Sequence, residues 1–568
     1  MGMPDYIVVG GGSAGCVLAN RLSADPACGV VLLEAGGRDS SIFIHMPAGY
    51  LRLMETGQVD WGYHTVPQPH CHGRTFYWPR GKVLGGSSSI NGMVYVRGHA
   101  SDFDHWAQLG NAGWSYDDVL PYFKRAERWE GGADAFRGGD GPLSTIGVKS
   151  FHPLSAAWLK AGEQAGYPRT DDLNGAHQEG FGALQSTIMN GRRASAAACY
   201  LTPVLGRPNL KVIVNAHAKR VIVEGGRAVG VEYIRNGAVE TIRADREVIL
   251  SGGAINSPQL LQLSGIGAGD HLRPLGIKVV HELEGVGRNL CDHVAVSMRQ
   301  LSTQPISLKR ELSPFRTAKA LLQWVLFKDG PAAHPGIQAQ AFVKTRPGLA
   351  APDIQYHFIM ILYGDHGRQR YKQHGFQPLI NVQRPESLGS VMIVSADPTV
   401  APAIDPNYLA TAEDVRMLRD GIKIGRDILA QKAFDPYRGA ELDPGPAVKT
   451  DAQIDDYIRR NCHTQYHPVG ACKMGVDPMA VVDPELKVRG LSGLRVVDAS
   501  IMPVMVSANT NASTIMIAEK ASDMILGRSA LPREDHFGKL KPAARSRAAG
   551  RLRGNDCGPA PRAADPRL

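Results

Sequence analysis

Asp5-Tyr6-Ile7-Val8-Val9 runs directly into Gly10-Gly11-Gly12-Ser13-Ala14-Gly15, and Gly29-Val30-Val31-Leu32-Leu33-Glu34 follows a stretch of small residues. The two apolar runs read as strands and the glycine run as a tight turn opening a helix. This is an arrangement that binds the ADP half of a dinucleotide. Gly10 and Gly12 allow the turn and let backbone approach a pyrophosphate, and Gly15 lets the helix pack close to the strand. The pyrophosphate would sit at the helix N-terminus, where unpaired N–H groups and the helix dipole favour negative charge. Glu34 ends the second strand 24 residues after Gly10, placed to accept hydrogen bonds from a ribose. The pattern leaves NAD, NADP and FAD open, and an acid at position 34 argues against NADP.

A chain of 568 residues is too long for one simple core, so two or more domains are expected. Hydrophobic content of 43% and charged content of 21% are those of an ordinary globular protein. No apolar run reaches the 18 or so residues of a spanning helix, and no basic segment with an apolar core precedes the first strand. The expectation is cytoplasmic, with peripheral membrane contact left open. The net charge of +9 is concentrated: residues 528–568 hold ten Lys and Arg against four acids, a net +6, leaving +3 for the rest. A near-neutral body argues against a nucleic-acid partner. The tail itself, rich in Ala, Arg, Pro and Gly without periodicity, is expected to be disordered. The eight cysteines form no CxxC pair and read as reduced thiols. Cys462, His463, His467 and Cys472 match no zinc spacing, so no metal is expected.

Further along, Arg80 to Gly98 is dominated at its centre by Gly and Ser, suited to presenting backbone N–H groups to a ligand. Strand-like runs at 210–214, 220–224, 228–234 and 247–251 lead into Gly252-Gly253 and an apolar-periodic helix. Residues 353–358 and 389–394 read as strands and 412–429 as a helix, a second sheet laid over the nucleotide domain. His467 lies in a turn, and 494–500 reads as a strand ending in an acid. Asn509 or Asn511 would cap the helix that runs to about Leu526.

Together these blocks resemble the glucose–methanol–choline (GMC) oxidoreductases over roughly residues 3–527, nearest their bacterial choline dehydrogenase and acceptor-linked alcohol dehydrogenase branch. The resemblance implies an α/β fold: a Rossmann-like FAD-binding domain assembled from discontinuous segments, plus a substrate domain of antiparallel sheet and helices. The FAD domain is expected in 1–150, 211–295 and 466–527, and the substrate domain in 151–210 and 296–465. Residue by residue, Gly10, Gly12, Ser13, Gly15 and Glu34 would hold the ADP moiety. Val83, Asn91 and Val94 would lie in the loop passing the flavin, and Val221 would contact the adenine through its backbone. Asp498 and Ala499 would lie near the pyrophosphate and flavin. His467 and Asn509 match the catalytic pair, with Asn511 on the flavin side or capping and His357 auxiliary. Two positions depart from the pattern. Ile90 replaces the histidine of members with covalently attached flavin, which implies non-covalent FAD. Gln338 stands where choline dehydrogenases carry a glutamate, which points to an uncharged alcohol.

The resemblance therefore implies oxidation of a primary alcohol to an aldehyde. His467 takes the hydroxyl proton, Asn509 holds the oxygen, and FAD N5 takes the hydride. Electrons would pass to a quinone or another acceptor. Two rival readings are an NAD-dependent dehydrogenase, which leaves residues 80–98 unexplained, and a cyanohydrin-cleaving lyase on the same scaffold. Choline dehydrogenase proper is the alternative within the family.

Overall fold

Every residue of Tyr6–Val9 (β1) and Val30–Leu33 (β2) is buried, as strands covered on both faces by helices must be. The computed structural model describes residues 2–539. The two strands pair in parallel, Tyr6 opposite Val30 through Val9 opposite Leu33. Leu210–Ile213 (β3) joins the far edge of β2, Glu247–Leu250 (β4) flanks β1, and Leu494–Val496 (β5) closes the sheet in the order β3-β2-β1-β4-β5. Three stretches widely separated in sequence thus build one parallel sheet. Ser13–Leu22 (α1) follows β1, Gly253–Leu263 (α2) follows β4, and Thr510–Ile525 (α3) follows β5. Each helix leaves from the C-terminal edge of its strand, where α/β proteins place their ligands.

A second sheet of eight strands is antiparallel, with Gly375–Val382, Ile354–Ile359 and Ile337–Val343 at its centre. Its alternation separates two environments. Tyr356 and Phe358 point into a hydrophobic cluster beneath the helices Pro153–Gln164 and Ala412–Ala430, with Trp158 stacked on Phe358 at 4.9 Å. His357 and Ile359, on the opposite face, line a cavity against the parallel sheet. Residues 2–534 form one compact unit holding both sheets.

The expectation of a disordered tail from residue 528 is corrected for residues 528–534. Within 528–534, Leu531 N donates to Tyr122 Oη at 3.1 Å, Glu534 N donates to Asp117 O at 3.1 Å, and Arg533 pairs with Asp118 at 2.9 Å. These contacts tie the segment to the helix Tyr116–Ala126. Asp535 begins a separate unit that includes the short helix His536–Lys539, and the tail from residue 540 lies outside the described residues.

The turn after β1 works only with glycine, for reasons that differ by position. A Cβ at Gly15 would lie 1.8 Å from Gly10 O, so α1 could not approach the strand. A Cβ at Gly12 would meet nothing nearer than 3.9 Å and would project into the cavity. Gly15→Ala is therefore expected to destabilise the fold by roughly 3 kcal/mol or more, seen as a large drop in thermal midpoint. Gly12→Ala is expected to fold with a near-normal midpoint in the ligand-free protein and to lose dinucleotide affinity in titration.

Candidate active site

Three helix N-termini converge on one cavity. Gly12 and Ser13 of α1, Gly252 to Ala254 at α2, and Asn509 to Asn511 at α3 all line it. None of the three helices has an acid in its first turn or a bond from its own cap side chain. The opening N–H groups of α1 and α3 remain available to an anion, while Gly252 N and Gly253 N at α2 are held by Ser257 and Asp498. The expectation that Asn509 or Asn511 caps α3 is thus corrected: Asn509 holds the cap position, but neither side chain caps the helix. Asn511 Oδ1 accepts from Ser13 Oγ at 2.7 Å and joins the first N-terminus to the third. Asp498 Oδ2 accepts from Gly253 N at 2.9 Å and Ser257 Oγ at 2.6 Å, fixing the second to β5.

Glu34 is held rigidly at the end of β2. Its two carboxylate oxygens accept from Gly11 N and Gly36 N, each at 2.7 Å, while burial pushes its carboxyl up to about 7. Ser251 Oγ, on the cavity wall, is buried without a hydrogen-bond partner. The 80–98 loop sits directly on the glycine turn: Gly85 N donates to Gly11 O at 2.7 Å, and a Cβ on Gly86 (φ +52°) would lie 2.7 Å from Gly12 Cα. Free N–H groups, a fixed acid, an unpartnered hydroxyl and a glycine-paved approach suit an adenine dinucleotide whose pyrophosphate crosses the turn.

Of the residues expected at this ligand, Gly10, Gly12, Ser13, Glu34, Asn91, Val94, Asp498 and Ala499 line the cavity. Gly15 acts behind it, through packing. Val83 does not reach the cavity and instead packs with Ile44, Leu53 and Ile90. Val221 is buried and does not line the cavity. Its N–H is taken by Ser264 Oγ at 2.8 Å, and the strand meets the cavity earlier, at His217 and Ala218. The strand His217–Glu224 carries bulges that shift its register, which spacing could not reveal.

At the other end of the cavity His467 Nε2 lies 3.1 Å from Asn509 Nδ2. Asn509 Oδ1 accepts from Gln355 Nε2 at 3.4 Å, which orients the amide with its N–H toward the imidazole. Behind His467 lies His293, with the two Nδ1 atoms 2.9 Å apart. His293 Nε2 faces the Gln383 carbonyl at 3.3 Å, and a carbonyl can only accept. His293 therefore carries its proton on Nε2 and accepts at Nδ1. His467 must then donate from Nδ1, leaving on Nε2 a lone pair that accepts from Asn509 Nδ2 at the cavity wall. Burial, reinforced by His293, His357 and Arg80, holds the His467 imidazolium well below the ordinary histidine range, so the ring is neutral. The turn carrying it is clamped by Asp292, whose carboxylate accepts His467 N at 2.7 Å, Thr464 Oγ1 at 2.6 Å and the Tyr408 hydroxyl.

His293 and Asp292 escaped sequence reasoning because they lie about 175 positions from His467 and carry no local pattern of their own. His357 lines the cavity with Nδ1 buried and unpartnered. The expectation for Gln338 is corrected. A bulge between Ile337 and Ala339 turns Gln338 away, to accept from His152 N at 2.7 Å and donate to Ser150 O at 3.2 Å. Ile337 takes its place on the cavity wall. Among the described residues lining the cavity, the acids are Glu34 and Asp498, both grouped with the helix N-termini.

A parallel sheet that binds a dinucleotide, joined to a sheet-walled chamber with a neutral histidine and a paired amide, defines a flavin-type oxidoreductase. Residues 4–295 and 385–518 match the N-terminal and C-terminal family models described as GMC oxidoreductase. The chain belongs to the GMC oxidoreductase family, and it is an FAD-dependent enzyme acting on CH–OH donors. It is 48% identical over 540 residues to an oxygen-dependent choline dehydrogenase of Brucella ovis, covering 95% of this chain and 98% of that one. A mitochondrial choline dehydrogenase of Mus musculus is 50% identical over 535 residues, 93% and 90% of the two chains. Among solved structures, pyridoxine 4-oxidase from Mesorbium loti superposes with a TM-score of 0.85 at 32% identity, over 93% and 100%. A formate oxidase of Aspergillus oryzae gives 0.86 at 26%, over 92% and 98%. Among the described residues no helix is long and apolar enough to cross a membrane.

Burial holds the His357 imidazolium down at about 4, against about 6.5 in an unfolded chain. Between those values the unfolded state binds the extra proton, so this group's contribution is complete above pH 6.5 and falls as pH drops toward 4. The slope is about 1.4 kcal/mol per pH unit. Glu34 and Asp292, raised by burial to about 7 and about 6, act in the opposite sense, so a difference from a variant isolates the term. The stability advantage of wild type over His357→Gln should shrink by roughly 3 kcal/mol between pH 7.5 and 4.5, measured by urea unfolding at each pH.

Proposed function

We propose that this enzyme oxidises uncharged primary alcohols to aldehydes, with His467 as base, FAD held without a covalent bond, and electrons delivered to a quinone-type or other acceptor. The observation that carries the reading is the 3.1 Å pairing of an unprotonated His467 Nε2 with Asn509 Nδ2 on the wall of the dinucleotide cavity. Gly10, Gly12, Ser13 and Glu34 would hold the ADP end, and Asn91, Val94, Asp498 and Ala499 the flavin end. Bound FAD supplies the hydride acceptor, the N5 atom of its ring.

The protein's own groups do the rest. An alcohol hydroxyl entering beside the pair replaces their direct contact, donating to His467 Nε2 and accepting from Asn509 Nδ2. As the proton moves to Nε2, the amide N–H remains on the oxygen and stabilises its growing negative charge. His293 keeps the Nδ1 proton in place, so the imidazole can receive only at Nε2. His357 Nδ1 is a further unpartnered polar atom that could contact a bound hydroxyl. The wall formed by Ile337, Ile359 and Leu379 is apolar, and among the described residues lining the cavity no carboxylate stands beside it to pair a trimethylammonium group. Ile90, on the cavity wall, has no nucleophilic atom to bond the flavin, so denaturation in acid should release intact FAD into solution.

A second reading, choline as substrate, has its own support in the relatives named above. Tyr50, Trp61, Tyr363 and Tyr466 also line the cavity, and aromatic faces can hold a quaternary ammonium. Anaerobic mixing with benzyl alcohol, 1-butanol or choline separates the two readings. Faster bleaching of the flavin by the uncharged alcohols supports the first, and a clear preference for choline replaces it with the second. No bleaching by any of the three would favour a lyase.

His467→Ala is expected to slow anaerobic flavin reduction by at least about 10²-fold. Asn509→Ala should give a smaller but clear loss, and an unchanged rate would move its role to Asn511. For His293→Ala, a roughly tenfold or greater loss is expected in stopped flow, because the tautomer of His467 is no longer imposed.

A further inference from the structure

The helix Pro314–Phe327 carries its apolar residues on the wrong side for a helix packed on a protein. Of its fourteen residues only Trp324 is buried, at 2% exposure. Phe315 is 80% exposed, Leu322 60%, Leu326 61% and Phe327 73%. At about 100° per residue, Phe315, Leu322 and Leu326 fall on the face opposite Trp324, with Ala318 and Val325 beside them. That is the stripe of an amphipathic helix, and here it points away from the body. Scattered surface leucines need no explanation, but an exposed stripe running from Phe315 through Leu322 to Leu326, with Lys319 at its edge, marks an interaction surface.

Its charge indicates the partner. Between Lys309 and Lys328 there are five cations, Lys309, Arg310, Arg316, Lys319 and Lys328, and one acid, Glu311. Glu311 is paired with Arg316 at 2.9 Å, and Asp329 lies just beyond the helix. A second copy docked here through two-fold symmetry would set like charges against like charges. An anionic bilayer surface takes the apolar stripe into its acyl boundary and the cations into its headgroups. We propose that Pro314–Phe327 seats this enzyme on the surface of an anionic lipid membrane.

The position of the helix gives the docking a consequence. Trp324 Nε1 donates to Gly191 O at 2.7 Å, and the indole packs with Met46, Ala332 and Ala333. The Met46 segment leads into the helix Tyr50–Thr56, whose Tyr50, Leu51 and Met54 line the cavity; Leu51 is also exposed, at its rim. Docking would bring that rim to the lipid, where a lipid-soluble acceptor is met. This consequence depends on the quinone-type acceptor proposed above, but the docking itself does not.

The test is flotation of the full-length holoenzyme with vesicles of phosphatidylcholine alone or mixed with phosphatidylglycerol. A triple variant, Phe315→Asp, Leu322→Asp and Leu326→Asp, serves as comparison. These side chains are solvent-exposed and outside the catalytic cavity, so flavin content and the rate of flavin reduction by alcohol should match wild type. The expected result is that wild type floats with the anionic vesicles and the variant partitions at least about tenfold less. Failure of wild type to float would overturn the proposal. So would full retention of binding by the variant, which would move the contact to the basic tail. A wild-type dimer that becomes a monomer in the variant, without vesicle binding by either, would make the stripe a self-association face. Normal vesicle binding with no turnover of a vesicle-borne quinone would leave the docking intact and remove the acceptor reading.

Discussion

Three helices of like polarity end at one place, and this requirement governs much of the architecture. The N-termini of α1, α2 and α3 all face the cavity without an acid in any first turn, those of α1 and α3 uncapped and that of α2 met by Asp498. Such a gathering of positive dipole ends is unfavourable unless an anion occupies the centre. The protein holds them there with short polar ties: Ser13 to Asn511 at 2.7 Å, and Asp498 to Gly253 and Ser257 at 2.9 and 2.6 Å. The pyrophosphate of a bound dinucleotide would supply that charge, so the fold is organised around a ligand site as much as around a core.

The reacting end obeys a different logic. Its groups are kept neutral by burial and are oriented by hydrogen bonds that admit one assignment of protons. The Gln383 carbonyl determines the proton on His293, His293 determines the proton on His467, and the free lone pair follows. Asp292 fixes the backbone beneath the same histidine through three donors. The base is therefore unprotonated before reaction, because burial keeps its ring neutral and its single proton is held on Nδ1.

The wall facing this base comes from the antiparallel sheet, whose alternation places Tyr356 and Phe358 in the core and His357 and Ile359 in the cavity. One bulge, at Ile337, decides whether an amide or an aliphatic side chain meets the substrate. The chemistry of the pocket thus turns on a local irregularity in an otherwise regular ladder.

By itself the sequence determined the glycine turn, the acid at the end of β2, the Gly-rich loop and the His467–Asn509 pair. Each is encoded within a few residues, or by a motif long enough to resemble a family. It did not reveal that Gln338 faces away, because a one-residue bulge reverses which side chains share a face. It was silent on His293 and Asp292, whose importance exists only once the strand Val294–Ser297 lies beside His463–Thr464. It also left the stripe at 315–326 unremarked, since the same apolar period serves a core or a surface. Only tertiary structure decided which way that helix faces and which nitrogen of His467 is free, because both depend on neighbours distant along the chain.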